Sequence, residues 1–359
     1  MNTFVLVKRF LFILITLTTL ITNAQIVTSK IPFKNTLLFS NNNNQNLELL
    51  TDEGYFKYDF KKGVFKSSPL YGIKNLNNHT ISNETFLITE VLGKTYFLLN
   101  GGGELYSLFN QTIKREDYSF AHKNQFNGHL FNINNRIFYY GGYGYFRSKD
   151  FFIFFNEPTS DWQILIHDNE IIPKGRINAL FQTYENKVFI AGGIHANGKD
   201  KNTELNDVFS FDFRDKTLKT IGNLNSKIQN TDFKWFTPSH LNFSLFINKE
   251  NELVSVDFRN NKFEIYSDLE FSLLNNKSPL TIVGDSLYYI TKFETSKYLN
   301  RVALKNLSYY KKEQGVLFEK TESNNNLSFI IFAISVFMFW VFYKIFKYVD
   351  DRKKNTFFK

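Results

Sequence analysis

The sequence predicts an all-β chain made of repeated four-stranded units, followed by one C-terminal transmembrane α-helix. Three observations carry this. Aromatic residues reach 18%, with 42 Phe and 19 Tyr, and flat side chains pack well on a pleated surface. A hairpin motif returns three times at wide spacing. An uncharged run of 17 residues, Leu327 to Tyr343, stands directly before a basic tail.

Residues 1–24 have the layout of a cleaved signal peptide. Lys8 and Arg9 form its positive start, Phe10 to Ile21 its apolar centre, and Ala24 the small residue at the cut, leaving Gln25 as the new N-terminus. The apolar stretch is short for a membrane span. The Ala-Gln step resembles signal peptides of Bacteroidota-type bacteria. With no cysteine in the chain, a bacterial envelope setting fits better than a eukaryotic ectodomain, which would commonly carry disulfides. The sequon Asn83-Glu84-Thr85 is then a chance triplet of an Asn-rich chain.

The body, 25–322, is expected to consist of repeats. Tyr58-Asp59-Phe60-Lys61-Lys62-Gly63-Val64-Phe65 is matched by Phe211-Asp212-Phe213-Arg214-Asp215-Lys216-Thr217-Leu218 and by Val256-Asp257-Phe258-Arg259-Asn260-Asn261-Lys262-Phe263. Each reads as a strand, a polar turn and a returning strand. Asp212 and Asp257 are 45 residues apart, and Asp59 and Asp212 are 153 apart, three steps of about the same length. A paired glycine ends an apolar strand at Gly141-Gly142, at Gly192-Gly193 and, less cleanly, at Gly101-Gly102. Glycine suits a corner where neighbouring units crowd.

Lys187 to Leu224 resembles a kelch repeat: a strand with Gly192-Gly193, a long loop, then Asn206-Asp207-Val208-Phe209-Ser210-Phe211-Asp212, a turn and a last strand. The stretch 128–168 is similar, with Trp162 as the late aromatic. The resemblance implies a β-propeller of about six four-stranded kelch-like blades, near 34–70, 80–117, 128–168, 175–222, 235–268 and 279–312. An N-terminal strand closing the last blade would alter the count by one.

A linker at 323–326 then leads to the expected transmembrane helix, 327–346, with Trp340 and Tyr343 near one end as an aromatic belt. Lys344, Lys347, Arg352, Lys353, Lys354 and Lys359 follow, against Asp350 and Asp351. Positive residues stay on the cytoplasmic side, which places the propeller on the periplasmic or extracytoplasmic side and the tail, 347–359, inside. The net charge of +9 therefore belongs mostly to the two ends. The body is close to neutral and offers no footprint for nucleic acid.

Motifs for chemistry are missing. The resemblance extends to galactose-oxidase-type propellers, whose cofactor joins Cys to Tyr, and this chain has no Cys. No Asp box, Gly-x-Ser-x-Gly, Walker loop or zinc-protease motif occurs. The six histidines (His79, His122, His129, His167, His195, His240) show no ligand spacing. Asp59, Asp212 and Asp257 occupy one place in each repeat, beside a turn, where Asp holds backbone amides. No cofactor or metal is expected, and the reading is a non-enzymatic binding module, sensory or scaffold, for a protein or a glycan. A degenerate or unrecognised glycan-active propeller enzyme is the alternative. Two loops are the candidate contact surfaces. One gathers Tyr143, Tyr145, Phe146 and Arg147. The other holds His195, Asn197, Lys199 and Asp200. Tyr145 and Phe146 either stand on a loop or continue a buried strand. With 16 residues after Tyr343, no output domain fits the tail, and any signal would pass through a partner.

Overall fold

The computed structural model describes residues 27–41, 45–76, 79–118, 124–167, 169, 172–198, 202–228, 243–248, 250–267, 278–320 and 325–356. Helix side chains are described over 332–347. The expected signal peptide, 1–24, lies outside these residues, as do Lys199, Asp200 and His122.

The body is a β-propeller of six four-stranded blades. Blade 1 runs through strands Thr36–Asn41, Asn46–Thr51, Gly54–Asp59 and Val64–Ser68. Blade 2 runs through Phe86–Val91, Lys94–Leu99, Leu105–Phe109 and Thr112–Arg115. Blade 3 has His129–Ile133, Arg136–Tyr140, Phe152–Asn156 and Asp161–Ile164, and blade 4 has Leu180–Tyr184, Lys187–Ala191, Asp207–Asp212 and Thr217–Leu224. All neighbours pair antiparallel. Each blade therefore places its second-to-third loop on the same face as the connections between blades. Its other two turns lie on the opposite face.

The last two blades depart from the expected boundaries. Blade 5 takes Ser244–Ile247, Leu253–Asp257 and Lys262–Tyr266, then receives its outer strand from Lys311–Val316. Blade 6 takes Leu280–Val283, Ser286–Phe293 and Ser296–Ala303, and its outer strand is the N-terminal Val27–Ile31, with Val27 opposite Arg301 and Ile31 opposite Lys297. The end of the stretch 279–312 is thus no strand of blade 6. A 3-10 turn, Leu304–Tyr310, carries the chain back to blade 5, and Phe318–Lys320 then adds a fifth strand to blade 4. Two chain ends close the ring, at two different seams.

Why the ring holds is visible in its cores. Six clusters of buried side chains alternate with six blades, one at each seam. Leu37, Leu50 and Phe97 fill the seam of blades 1 and 2, and Leu38, Leu49 and Leu299 that of blades 6 and 1. Alternate residues of one strand serve opposite seams, because side chains alternate across a strand. That is why these strands read as continuous apolar runs. Full burial of one such side chain is worth about 1.5–3 kcal/mol. The inner edges are stitched by polar side chains. Asn83 Nδ2 donates to Leu38 O and Asn83 Oδ1 accepts from Leu38 N, both at 2.9 Å. Asn132 Nδ2 reaches Glu90 O at 2.7 Å, and Ser244 Oγ reaches Phe181 O at 3.1 Å. The amide of the Asn83 sequon is thereby committed to the fold.

Beyond the propeller, a helix spans Asn325–Thr356. Its apolar side chains are exposed, Phe339 and Phe346 at 81% each. Among the described residues no helix is long and apolar enough to cross a membrane. The expected transmembrane helix, 327–346, is therefore not supported: the helix is there, but it is not apolar enough to be a span.

Candidate binding face

The two loops singled out from the sequence come together on one face. Gly142 ends the second strand region of blade 3, and the chain then forms a small hairpin, Tyr143–Gly144 against Arg147–Ser148. Ile194–His195 and Thr203–Glu204 make the matching hairpin of blade 4. Arg147 bridges to Asn197, Ser148 N donates to Ala196 O at 2.8 Å, and Gly198 N donates to Phe146 O at 2.7 Å. On the other side, Tyr143 pairs with Phe126 in the connection from blade 2, through bonds of 2.7 and 2.8 Å. The result is a ladder across blades 2, 3 and 4.

Tyr145 and Phe146 form the hairpin tip and do not continue a buried strand. They are 68% and 80% exposed. Both have positive φ, 51° and 65°, the sign of a type I′ turn, which favours Asn and Gly. Asn124 Nδ2 donates to Tyr145 Oη at 2.7 Å, and Lys149 Nζ stands 5.3 Å from the Tyr145 ring centre. Burial, and then the charge of Arg147, lower the proton affinity of Lys149. Phe126, 53% exposed, extends the aromatic surface. Its ring fills the space that a side chain at Gly101 would need. His195 is turned inward, Nδ1 meeting Gly175 O at 2.6 Å.

A buried arginine paired with a partly exposed aspartate underlies this face. Arg176, 1% exposed, lies in the connection from blade 3 to blade 4. Its Nη1 and Nη2 donate to the two oxygens of Asp207 at 3.0 and 2.7 Å, and Nη1 also donates to Gly192 O at 2.9 Å. The guanidinium stacks 4.8 Å above the Phe209 ring. Its carbonyl accepts from Gly142 N at 2.9 Å and would lie 2.7 Å from any Cβ at Gly141. At Gly193, φ is +87° and a Cβ would meet Ile177 O at 2.6 Å. The paired glycines therefore mark corners closed around Arg176 and its neighbours. Tyr140, also buried there, is pushed up to about 12 by burial, with the Arg176 charge opposing. Arg176, Asp207 and Phe126 were not legible as site residues.

The three repeated aspartates are not brought together. Asp59 and Asp212 end the third strands of blades 1 and 4, but Asp257 ends the second strand of blade 5, so the three do not occupy one place in the repeat. Asp59 Oδ1 accepts from Lys61 N and Lys62 N at 3.0 and 3.1 Å, Asp212 Oδ1 from Arg214 N at 2.9 Å, and Asp257 Oδ1 from Asn260 N at 3.0 Å. Among the described residues no group of three His, Cys, Asp or Glu is placed to hold a metal.

No family model and no curated protein matches this chain. Its six four-stranded blades are consistent with a propeller of kelch-like type.

Proposed function

We propose that the chain is a membrane-tethered, extracytoplasmic binding module, sensory or scaffold, whose protein or glycan ligand meets the loop face of blades 2–4. A rigid propeller displaying loops suits binding. One observation carries the reading: the aromatic tip Tyr145–Phe146 is exposed at 68% and 80% on a hairpin fixed by backbone bonds to blades on both sides. Rigid aromatic anchors beside an arginine are typical of interfaces. The uncharged run 327–343 and the exposed apolar side chains of the C-terminal helix support the tether.

The test uses the full chain in detergent, on a glycan array and in a pull-down from host envelopes. Saturable binding is expected in one of the two. It should be lost on Tyr145→Ala with Phe146→Ala and kept on Leu92→Ala, a 77% exposed turn residue of the opposite face. Binding that survives the double substitution would contradict the assignment of the face.

A further inference from the structure

We infer that the Tyr145–Phe146 tip is a knob for a protein partner offering an apolar pocket rimmed by carboxylates. This deepens the reading above and rests on it.

Shape comes first. The tip is a two-residue turn, so its surface is convex, and Phe146 is 80% exposed. A convex aromatic needs a concave partner. Phe146 has no polar atom with which to read hydroxyls, and the Tyr145 hydroxyl, which accepts from Asn124, keeps a single O–H to donate. A sugar would find few directional contacts here. A lipid surface would not require the fixed geometry that the ladder imposes.

Strain comes second. The turns at 92–93, 110–111 and 134–135 also have positive φ at both positions, and each includes at least one Gly or Asn: Leu92-Gly93, Asn110-Gln111 and Asn134-Asn135. The tip places two aromatics in that conformation, which L-residues with a Cβ disfavour. Strain kept at an exposed position points to use of the side chains.

Charge comes third. Arg147 is exposed at the turn, while Lys149 is buried beside it, its ammonium 5.3 Å from the Tyr145 ring centre. Asp150 is exposed next in the chain. A carboxylate on the partner's rim would answer the exposed Arg147, and complementary charge sets register and partner choice.

The experiment places p-benzoylphenylalanine at position 146 of the full chain in host cells. One discrete protein cross-link is expected, mapping to an apolar segment flanked by Asp or Glu. It should fall several-fold with Arg147→Glu and be absent when the photoreactive group is at position 92. In parallel, the purified chain is titrated with carboxymethyl-β-cyclodextrin, an apolar cavity with a carboxylate rim. It should bind at least about threefold more tightly than neutral β-cyclodextrin, and Arg147→Gln should erase the difference. Tyr145→Asn with Phe146→Gly should fold, unfold at a higher temperature and lose cyclodextrin binding. Cross-links only to glycan or lipid, or from position 197 but not 146, would overturn the knob and leave the binding module standing. No cross-link from either position would overturn both.

Discussion

Arg176 shows how single residues set this fold. A buried guanidinium stays stable when its hydrogen bonds are filled, and here Asp207 and Gly192 O fill them. Removing it strands a carbonyl and a carboxylate that is 33% exposed. Arg176→Met should therefore destabilise the protein by about 2–3 kcal/mol in urea unfolding, below the full value of a sealed pair. A loss under about 1 kcal/mol would show the pair to be dispensable. His129 gives a pH-dependent case. It is buried, stacked 4.9 Å from Phe181, and burial lowers it to about 4 despite a backbone bond at Ala179. The unfolded imidazole takes its proton near 6.5, so the unfolded state binds more protons between those values. Stability is full above about 6.5 and is lost towards pH 4, by roughly 3 kcal/mol. His129→Phe should flatten that part of the stability curve, and equal slopes in both proteins would contradict this. At this scale the sequence was legible where backbone geometry dictates the residue. Gly192-Gly193 announces a crowded corner, and Asp212 a hairpin turn. Arg176 and Phe126 were not legible, because their roles depend on neighbours 31 and 17 residues away in sequence, Asp207 and Tyr143.

Among the elements, the segment Lys311–Lys320 is the least expected. Its alternation is weak and polar, Lys311-Lys312-Glu313-Gln314-Gly315-Val316, so nothing in it selects blade 5 over blade 6. The choice comes from its end. Leu317 and Phe318 are buried between blades 4 and 5, and Asn261 pairs with Phe318 through bonds of 2.8 and 2.9 Å. Gly315 is needed because a Cβ there would lie 2.6 Å from the Phe263 ring. Acid should loosen this strap. Burial raises Glu264, but hydrogen bonds from Lys262, Lys311 and Tyr266 outweigh it and bring the carboxyl down to about 2. Its contribution is present above about 4.5 and lost as pH falls to about 2. Leu317→Ala should cost about 2–4 kcal/mol. Amides of 311–316 should exchange by local opening at lower free energy than those of the first strands. Exchange of both sets only through global unfolding would contradict the strap's independence. The blade positions were legible because each seam needs apolar residues on both sides of the inner strands. An N-terminal strand closing the last blade was anticipated and is Val27–Ile31, with the count still six, because Lys311–Val316, whose polar alternation names no partner, moves to blade 5.

The propeller is a ring held at its closure by two segments, Val27–Ile31 on blade 6 and Lys311–Lys320 on blades 5 and 4. Such distant pairings slow folding, and they brace the scaffold on which blades 2–4 carry the aromatic tip. The central claim is that this tip is covered when the protein works. Hydroxyl-radical footprinting tests it without any substitution, comparing the chain in native envelopes with the purified full chain. Oxidation of Phe126, Tyr145 and Phe146 should fall several-fold in the envelopes, while Tyr71 and Tyr309, each 65% exposed elsewhere on the ring, should react equally in both. Equal oxidation of the tip in the two samples would contradict the account.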